Sequence, residues 1–128
     1  MGTFAEAQRN AMLNAITGRT DYTKSAAFYV KLHVGDPGAA GTSNPATDTT
    51  RQAVTFGDAA STGAISNTAQ VQWTNLATGD PDTITWVSFW TADSGGTFLG
   101  KDDLPASKAV NDGDTFTIAV GDIDLTVT

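Results

Sequence analysis

The chain has 128 residues, a formal charge of −7 and no cysteine. This length fits one domain that buries a core without cross-links, and the lack of cysteine excludes disulfides and thiolate metal sites. The acidic balance argues against nucleic-acid partners, whose phosphates require clustered lysine and arginine. No apolar run is long enough to cross a membrane, and no secretory signal is evident. We therefore expect neither nucleic acid nor membrane as a partner.

The first segment is typical of an amphipathic helix over residues 3–17. Thr3 is a good N-cap residue, and Glu6 follows at the spacing of a capping box. Gly18 is placed to end the helix in a left-handed conformation. Apolar side chains recur near one face, at Ala5, Met12 and Ile16, with Leu13 beside them.

After the helix the hydrophobic period changes from 3.6 to 2. Residues 27–34 alternate and predict a strand with one buried face, which leaves His33 on the solvent-facing side. His33 is the one histidine. A metal site with a single histidine would need several carboxylates around it, and the local sequence does not supply them. Residues 35–50 are rich in Gly, Pro, Ala and Thr, and predict a long surface loop without core residues.

Short alternating segments with turn signals between them fill the rest of the chain. They predict strands over 52–56, 64–76, 83–91, 97–104, 115–120 and 123–127, the fourth ending at Pro105. The expected fold is mainly β: one antiparallel β-sandwich or barrel-like domain over 1–128, with the β part over 26–128 and one N-terminal α-helix. The predicted core contains Phe28, Val30, Leu32, Val54, Phe56, Val71, Phe116 and Ile118.

Residues 84–90 form the most informative strand because they are apolar on both faces. Trp86 and Trp90 lie on one face, and Val87 and Phe89 lie on the other. A strand of this kind must be covered on both sides. The helix could cover its back, or another subunit could, since aromatic residues are enriched at interface cores. A sugar-binding platform is a weaker alternative.

The sequence contains no positive signal for catalysis. It has no Gly-x-Ser-x-Gly elbow and no cysteine, so the usual nucleophiles are missing. Three segments could together bind Ca²⁺: Asp102-Asp103, Asp112-Gly113-Asp114 and Gly121-Asp122-Ile123-Asp124. None matches the twelve-residue calcium loop, and turns require Asp beside Gly without any metal. We therefore expect turns, no metal, no cofactor and no enzymatic activity.

Seven phrases follow one another along the chain: GRT at 18–20, YVKLHVGDPG at 29–38, RQAVTF at 51–56, GAISNT at 63–68, VSFW at 87–90, GGTFLG at 95–100 and KAVNDGDTF at 108–116. Together they resemble the small virion proteins of tailed phages, especially phages of actinobacteria. Such proteins carry labels that include tail fibre, minor tail and head decoration protein. The resemblance covers nearly the whole chain.

The resemblance implies a structural virion protein without catalytic residues. A compact acidic domain fits a head decoration protein on the capsid exterior, which binds the major capsid protein and its own copies, with a trimer as the expected oligomer. The alternative is a minor tail or tail-fibre module that binds the host surface or carbohydrate. We expect contacts between proteins at Phe4, Met12, Ile16, Asp36, Pro37, Pro45, Trp86 and Trp90.

Overall fold

The computed structural model describes residues 2–60 and 63–127, so residues 1, 61, 62 and 128 of the predicted domain lie outside the described residues. The elements in chain order are β1 (Gly2–Phe4), α1 (Glu6–Ile16), β2 (Tyr29–His33), β3 (Gln52–Ala53), β4 (Ala64–Ser66), β5 (Val71–Trp73), β6 (Asp82–Trp90), β7 (Phe98–Val110), β8 (Phe116–Ile118) and β9 (Asp124–Thr126). Among the described residues, no helix is long and apolar enough to cross a membrane.

Seven strands form one curled sheet in the order β3-β2-β6-β7-β1-β9-β4, and β5 pairs with β8 in a separate two-stranded sheet. Neighbouring strands are antiparallel except β1 and β9, which run parallel. The curled sheet makes a half-barrel. The predicted fold class, a sandwich or barrel-like β-domain with an N-terminal helix, is therefore confirmed.

The inner face of the curled sheet carries the hydrophobic core. Val30 and Leu32 of β2 lie opposite Phe89 and Val87 of β6, and all four side chains are fully buried. This alternation follows from the period of two along each strand. The smaller sheet adds four buried residues to the same core: Val71, Trp73, Phe116 and Ile118.

Most of the predicted core residues are buried. Phe28 and Phe56 are half-buried and pack against the core from its margin. Their rings meet edge to face with centroids 5.0 Å apart, a favourable arrangement for aromatic pairs. The predicted core is thus confirmed in six positions, and these two phenylalanines form its edge.

The helix begins later than its capping signal predicted. Thr3 lies in β1 and pairs with Lys101 of β7, so the helix starts at Glu6, after Ala5. Thr3 does not cap the helix because its backbone is held in β1, which lies between β7 and β9 in the sheet. The predicted stop is confirmed, since Gly18 adopts a φ of +76° two residues after the helix ends.

The strand predicted to end at Pro105 continues to Val110. Ile84 pairs with Lys108, and Trp86 pairs with Asp103, so residues 104–107 stand opposite Thr85 alone. Proline lacks the N–H that a ladder needs, and the chain bulges where it sits. The proline therefore marks an interruption within β7 and does not end it.

Residues 35–50 fold back onto the outer face of β6 and β7. The Asp36 carboxylate lies 2.6 Å from Lys101 Nζ, which ties the start of the segment to β7. Gly41 packs so closely on Phe98 that an added Cβ would lie 2.6 Å from Phe98 Cε1. This segment therefore covers part of the outer face of the sheet beside the doubly apolar strand β6, whereas no residue of α1 is buried against that face.

The same segment also contributes to the core. Ala46 is 3% exposed and belongs to the hydrophobic cluster, and its N–H donates to the Leu32 carbonyl at 3.0 Å. Pro37 is buried as well. The prediction that residues 35–50 contribute no core residue is therefore wrong, because small apolar side chains let the backbone approach the sheet closely.

His33 is fully buried beneath this segment. Its Nδ1 donates to the Ser43 carbonyl at 2.8 Å, and its Nε2 accepts the Ser88 hydroxyl proton at 2.7 Å. Ser88 Oγ in turn accepts the Trp90 indole N–H at 2.8 Å. Burial penalises the imidazolium and lowers the pKa of His33. The prediction of a solvent-facing histidine is wrong because residues 35–50 cover that face.

Candidate interaction surface

The second half of α1 presents aliphatic side chains to water. None of the eleven residues of α1 is buried, and Leu13 and Ile16 expose 59% and 81% of their surface. Val127, just after β9, is 59% exposed and lines one groove with Met12, Leu13 and Ile16. We call these four residues the helix surface. Clustered exposed aliphatic residues of this kind are typical of contacts between proteins.

The N-terminal half of α1 holds the helix to the domain. The Ala5 N–H donates to the Leu99 carbonyl at 2.8 Å, and the Arg9 guanidinium donates to the Phe4 carbonyl at 2.5 Å. The Tyr22 hydroxyl donates to Gln8 Oε1 at 2.8 Å. These hydrogen bonds lie at residues 5–9 of the helix segment, so they leave the helix surface available.

A second apolar depression lies at the bulge in β7. Residues 104–108 form one wall, and the buried side chains of Phe116 and Ile118 lie beneath it. Lys108 Nζ stands 5.8 Å from the centre of the Phe116 ring. We call this depression the bulge groove. It exists because the bulge redirects Leu104 and Ala106 away from the regular sheet.

The bulge groove is rimmed by aspartates. Asp122 lines it directly, and Asp103 and Asp124 line the adjoining cleft together with Pro105. Asp102 is buried in the same region, and burial raises its pKa to about 6. Its Oδ2 accepts the Asp124 backbone N–H at 3.3 Å. This end of the molecule therefore combines apolar surface with negative charge.

A family model described as "Podophage GP4 fiber I protein gp80" matches residues 3–126. The chain belongs to this family. A search of curated proteins found no match. Membership supports a structural protein of the phage virion and confirms that part of the resemblance. The actinobacterial origin and the capsid location remain predictions.

Three of the contact residues predicted for this fibre-family chain lie near α1. Ile16 is exposed and Met12 is half-buried, and both belong to the helix surface. Phe4 is half-buried in β1 and packs against the hydrophobic core. The structure thus brings Met12 and Ile16 together in one groove, and Phe4 lies outside that groove.

The other five predicted contact residues lie at the covered outer face. Trp86 is half-buried with Lys101 Nζ 5.4 Å from its ring centre, and Trp90 is 9% exposed beneath Arg51. Pro37 is buried, whereas Asp36 and Pro45 are exposed. Arg51 and Phe98 lie against the Trp90 ring, at 4.3 and 5.5 Å from its centre.

The Asp-Gly segments act as turns. Asp112 Oδ1 accepts the Thr78 and Gly79 N–H groups at 3.0 and 3.2 Å, and Asp114 Oδ2 accepts the Asn111 N–H at 2.8 Å. Within residues 2–60 and 63–127, no group of three or more His, Asp or Glu side chains is arranged to hold a metal. The Asp114–Asn111 hydrogen bond is local and supports the turn interpretation, whereas the Asp112 carboxylate ties this turn to residues 78–79.

The sequence patterns did not predict Leu13, Val127 or the bulge groove as contact sites. Leu13 stood beside the apolar stripe of the predicted helix, so its exposure could be suspected. Val127 follows a strand of three residues, and its position next to α1 depends on the parallel pairing of β1 with β9. The bulge groove had one local signal, Pro105, which indicated an interruption without indicating its shape.

Proposed function

We propose that this chain is a non-enzymatic structural component of a virion fibre and that α1 attaches it to a neighbouring protein in the particle. The family description, a podophage fibre protein, favours a fibre over other parts of the virion. The exposed aliphatic side chains of α1 carry the attachment. Covering such side chains yields about 25 cal/mol per Å² of apolar surface removed from water.

Capsid decoration is the second candidate. The packing of residues 35–50 onto the sheet supports it, because it makes a compact domain suited to a repeating lattice. The net charge of −7 would keep free copies apart in solution before assembly. The partners would then be the major capsid protein and further copies of this chain, on the capsid exterior.

The two candidates differ in the number of copies per particle. Purified virions separated on a denaturing gel allow this chain to be quantified against the major capsid protein. A small molar fraction supports the fibre, whose copies are few. A molar ratio approaching that of the capsid protein supports decoration and contradicts the fibre.

The attachment role of α1 is tested with two variants of equal charge change. Ile16→Glu places a carboxylate in the helix surface, whereas Asn14→Glu places one on an exposed helix position outside that groove. Each folded variant is added to particles that lack the protein. We expect Ile16→Glu to reduce occupancy at least about tenfold and Asn14→Glu to leave it unchanged. Equal occupancy would contradict attachment through α1.

A further inference from the structure

We propose that the helix surface of one copy docks into the bulge groove of a second copy. This inference rests on the proposed function, since it names the partner of α1 as another copy of this chain. Both surfaces are open in a single copy: Ile16 is 81% exposed on the helix, and Ala106 is exposed in the groove. The contact would join two different surfaces, head to tail.

Charge complementarity selects a second copy as the occupant. Residues 2–27, which include α1, carry three basic and two acidic side chains, whereas residues 28–127 carry four basic and twelve acidic ones. The helix segment is therefore cationic overall, and the β-domain is strongly anionic. Opposite charge on two regions of one chain favours association between copies in a defined orientation.

The position of the charges matches the position of the apolar residues. Arg19 follows the helix surface along the chain and is exposed, and its backbone N–H donates to the Asn14 carbonyl at 2.8 Å, which holds it at the C-terminal end of α1. Asp122 rims the bulge groove, and Asp124 rims its adjoining cleft. When Leu13 and Ile16 enter the groove, the Arg19 cation can meet this acidic rim, as in interfaces with an apolar centre and a polar edge.

A head-to-tail contact determines the symmetry of the assembly. Each copy offers one helix surface and one bulge groove, so every copy can bind a neighbour on each side. Such heterologous contacts form a closed ring where the rotation permits it. A cyclic trimer, the oligomer expected from the sequence, is one ring of this kind.

The test uses the purified full chain in sedimentation velocity, with one variant for each surface. Ile16→Glu disables the helix surface, and Ala106→Glu places the same charge in the bulge groove. Asn14→Glu and Ala109→Glu are the matched controls, because both positions are exposed and neither lines its groove. The unfolding midpoint of each variant shows whether it is folded.

We expect the wild-type chain and both controls to form oligomers, less tightly at high salt because exposed charges are then screened. Ile16→Glu and Ala106→Glu should each remain monomeric alone. Mixed together they should form a one-to-one dimer and nothing larger, because one intact helix surface then meets one intact groove. Arg19→Glu should weaken association, and Asp122→Lys on the partner copy should restore it.

A wild-type chain that stays monomeric at about 1 mM would overturn the inference, as would a failure of the two variants to pair. If Ile16→Glu lost particle occupancy while the wild-type chain stayed monomeric, α1 would dock on a different virion protein. The inference would then fail, and the proposed function would stand. If the variants paired as expected but Ile16→Glu kept full occupancy, attachment through α1 would fail, and the contact between copies would stand.

Discussion

Helix α1 and the segment 35–50 were both predicted to lie at contacts between subunits. In the structure they differ in burial. The segment packs onto its own sheet, with Pro37, Gly41 and Ala46 buried. The helix buries none of its residues. A region that looks like a surface loop is thus part of the fold, and a region that looks like a packed helix has its apolar side in water.

The difference shows that local polarity does not determine exposure. The loop contains small apolar residues and glycines, which allow its backbone to lie against Phe98. The helix has longer aliphatic side chains, but the β-domain offers them no complementary face within the described residues. Each region can be tested by substitutions that should act strongly in one and weakly in the other.

Truncation of Trp90 should have the largest effect, because its indole packs against Phe98, on which Gly41 of the loop lies. The indole is 9% exposed, donates to Ser88 and carries Arg51 over its ring at 4.3 Å. We expect Trp90→Ala to lower the free energy of unfolding by about 3–5 kcal/mol. Urea unfolding followed by circular dichroism measures this loss. A loss below about 1 kcal/mol would show that the loop does not depend on the indole.

Two glycines allow the regions to be compared under the same backbone condition. Gly41 of the loop has a φ of +73°, and Gly18 after α1 has a φ of +76°. An added Cβ at Gly18 meets nothing within 4 Å, whereas one at Gly41 overlaps the Phe98 ring. Gly18→Ala should cost about 1–2 kcal/mol for the left-handed conformation alone.

Gly41→Ala should lower the free energy of unfolding by the same amount as Gly18→Ala and by about 1–3 kcal/mol more, because the added methyl overlaps Phe98. Thermal unfolding of the two variants side by side measures the difference. Equal losses at both positions would mean that the loop moves off Phe98 without cost, contrary to its role as a covering layer.

Acidification should loosen the loop through His33. Burial lowers the pKa of His33 below its ordinary value of 6.5, so the unfolded chain binds the proton more readily. The contribution of neutral His33 to stability is full above pH 6.5 and is lost as pH falls from 6.5 through the lower folded pKa. His33→Gln should remove this part of the pH dependence.

Asp102 changes the free energy of unfolding with pH in the direction opposite to His33, over part of the same pH range. Its folded pKa is raised from 3.8 to about 6, so its contribution is full below pH 3.8 and is lost as pH rises through 6. Asp102→Asn should remove that contribution. Unfolding of the wild type and both variants between pH 4 and pH 7 separates the two slopes. An unchanged profile in His33→Gln would refute the assigned role of the buried imidazole.

Truncations on the helix surface should have the smallest effect on folding. Leu13 and Ile16 are more than half exposed in a single copy. We expect Leu13→Ala and Ile16→Ala to change the free energy of unfolding of the monomer by about 0.5 kcal/mol or less. Chemical unfolding at low protein concentration tests this. A loss near that of Trp90→Ala would mean that α1 packs on its own domain.

The sequence alone determined the parts of this protein that depend on neighbours along the chain. Alternation of apolar residues predicted β2 and β6 and the buried positions Val30 and Leu32, because side chains on a strand alternate between faces. Gly18 predicted the end of the helix for a similarly local reason. The ordered phrases also indicated a virion protein, as the family match then supported.

Only the tertiary structure decided what covers the outer face of the sheet. The ion pair that ties the loop joins Asp36 to Lys101, 65 residues apart in sequence. His33 bonds to Ser88 across 55 residues, so its burial depends on a contact that no local pattern contains. The exposure of α1 has the same origin, because a helix is amphipathic by its own sequence but is covered only where another surface fits it.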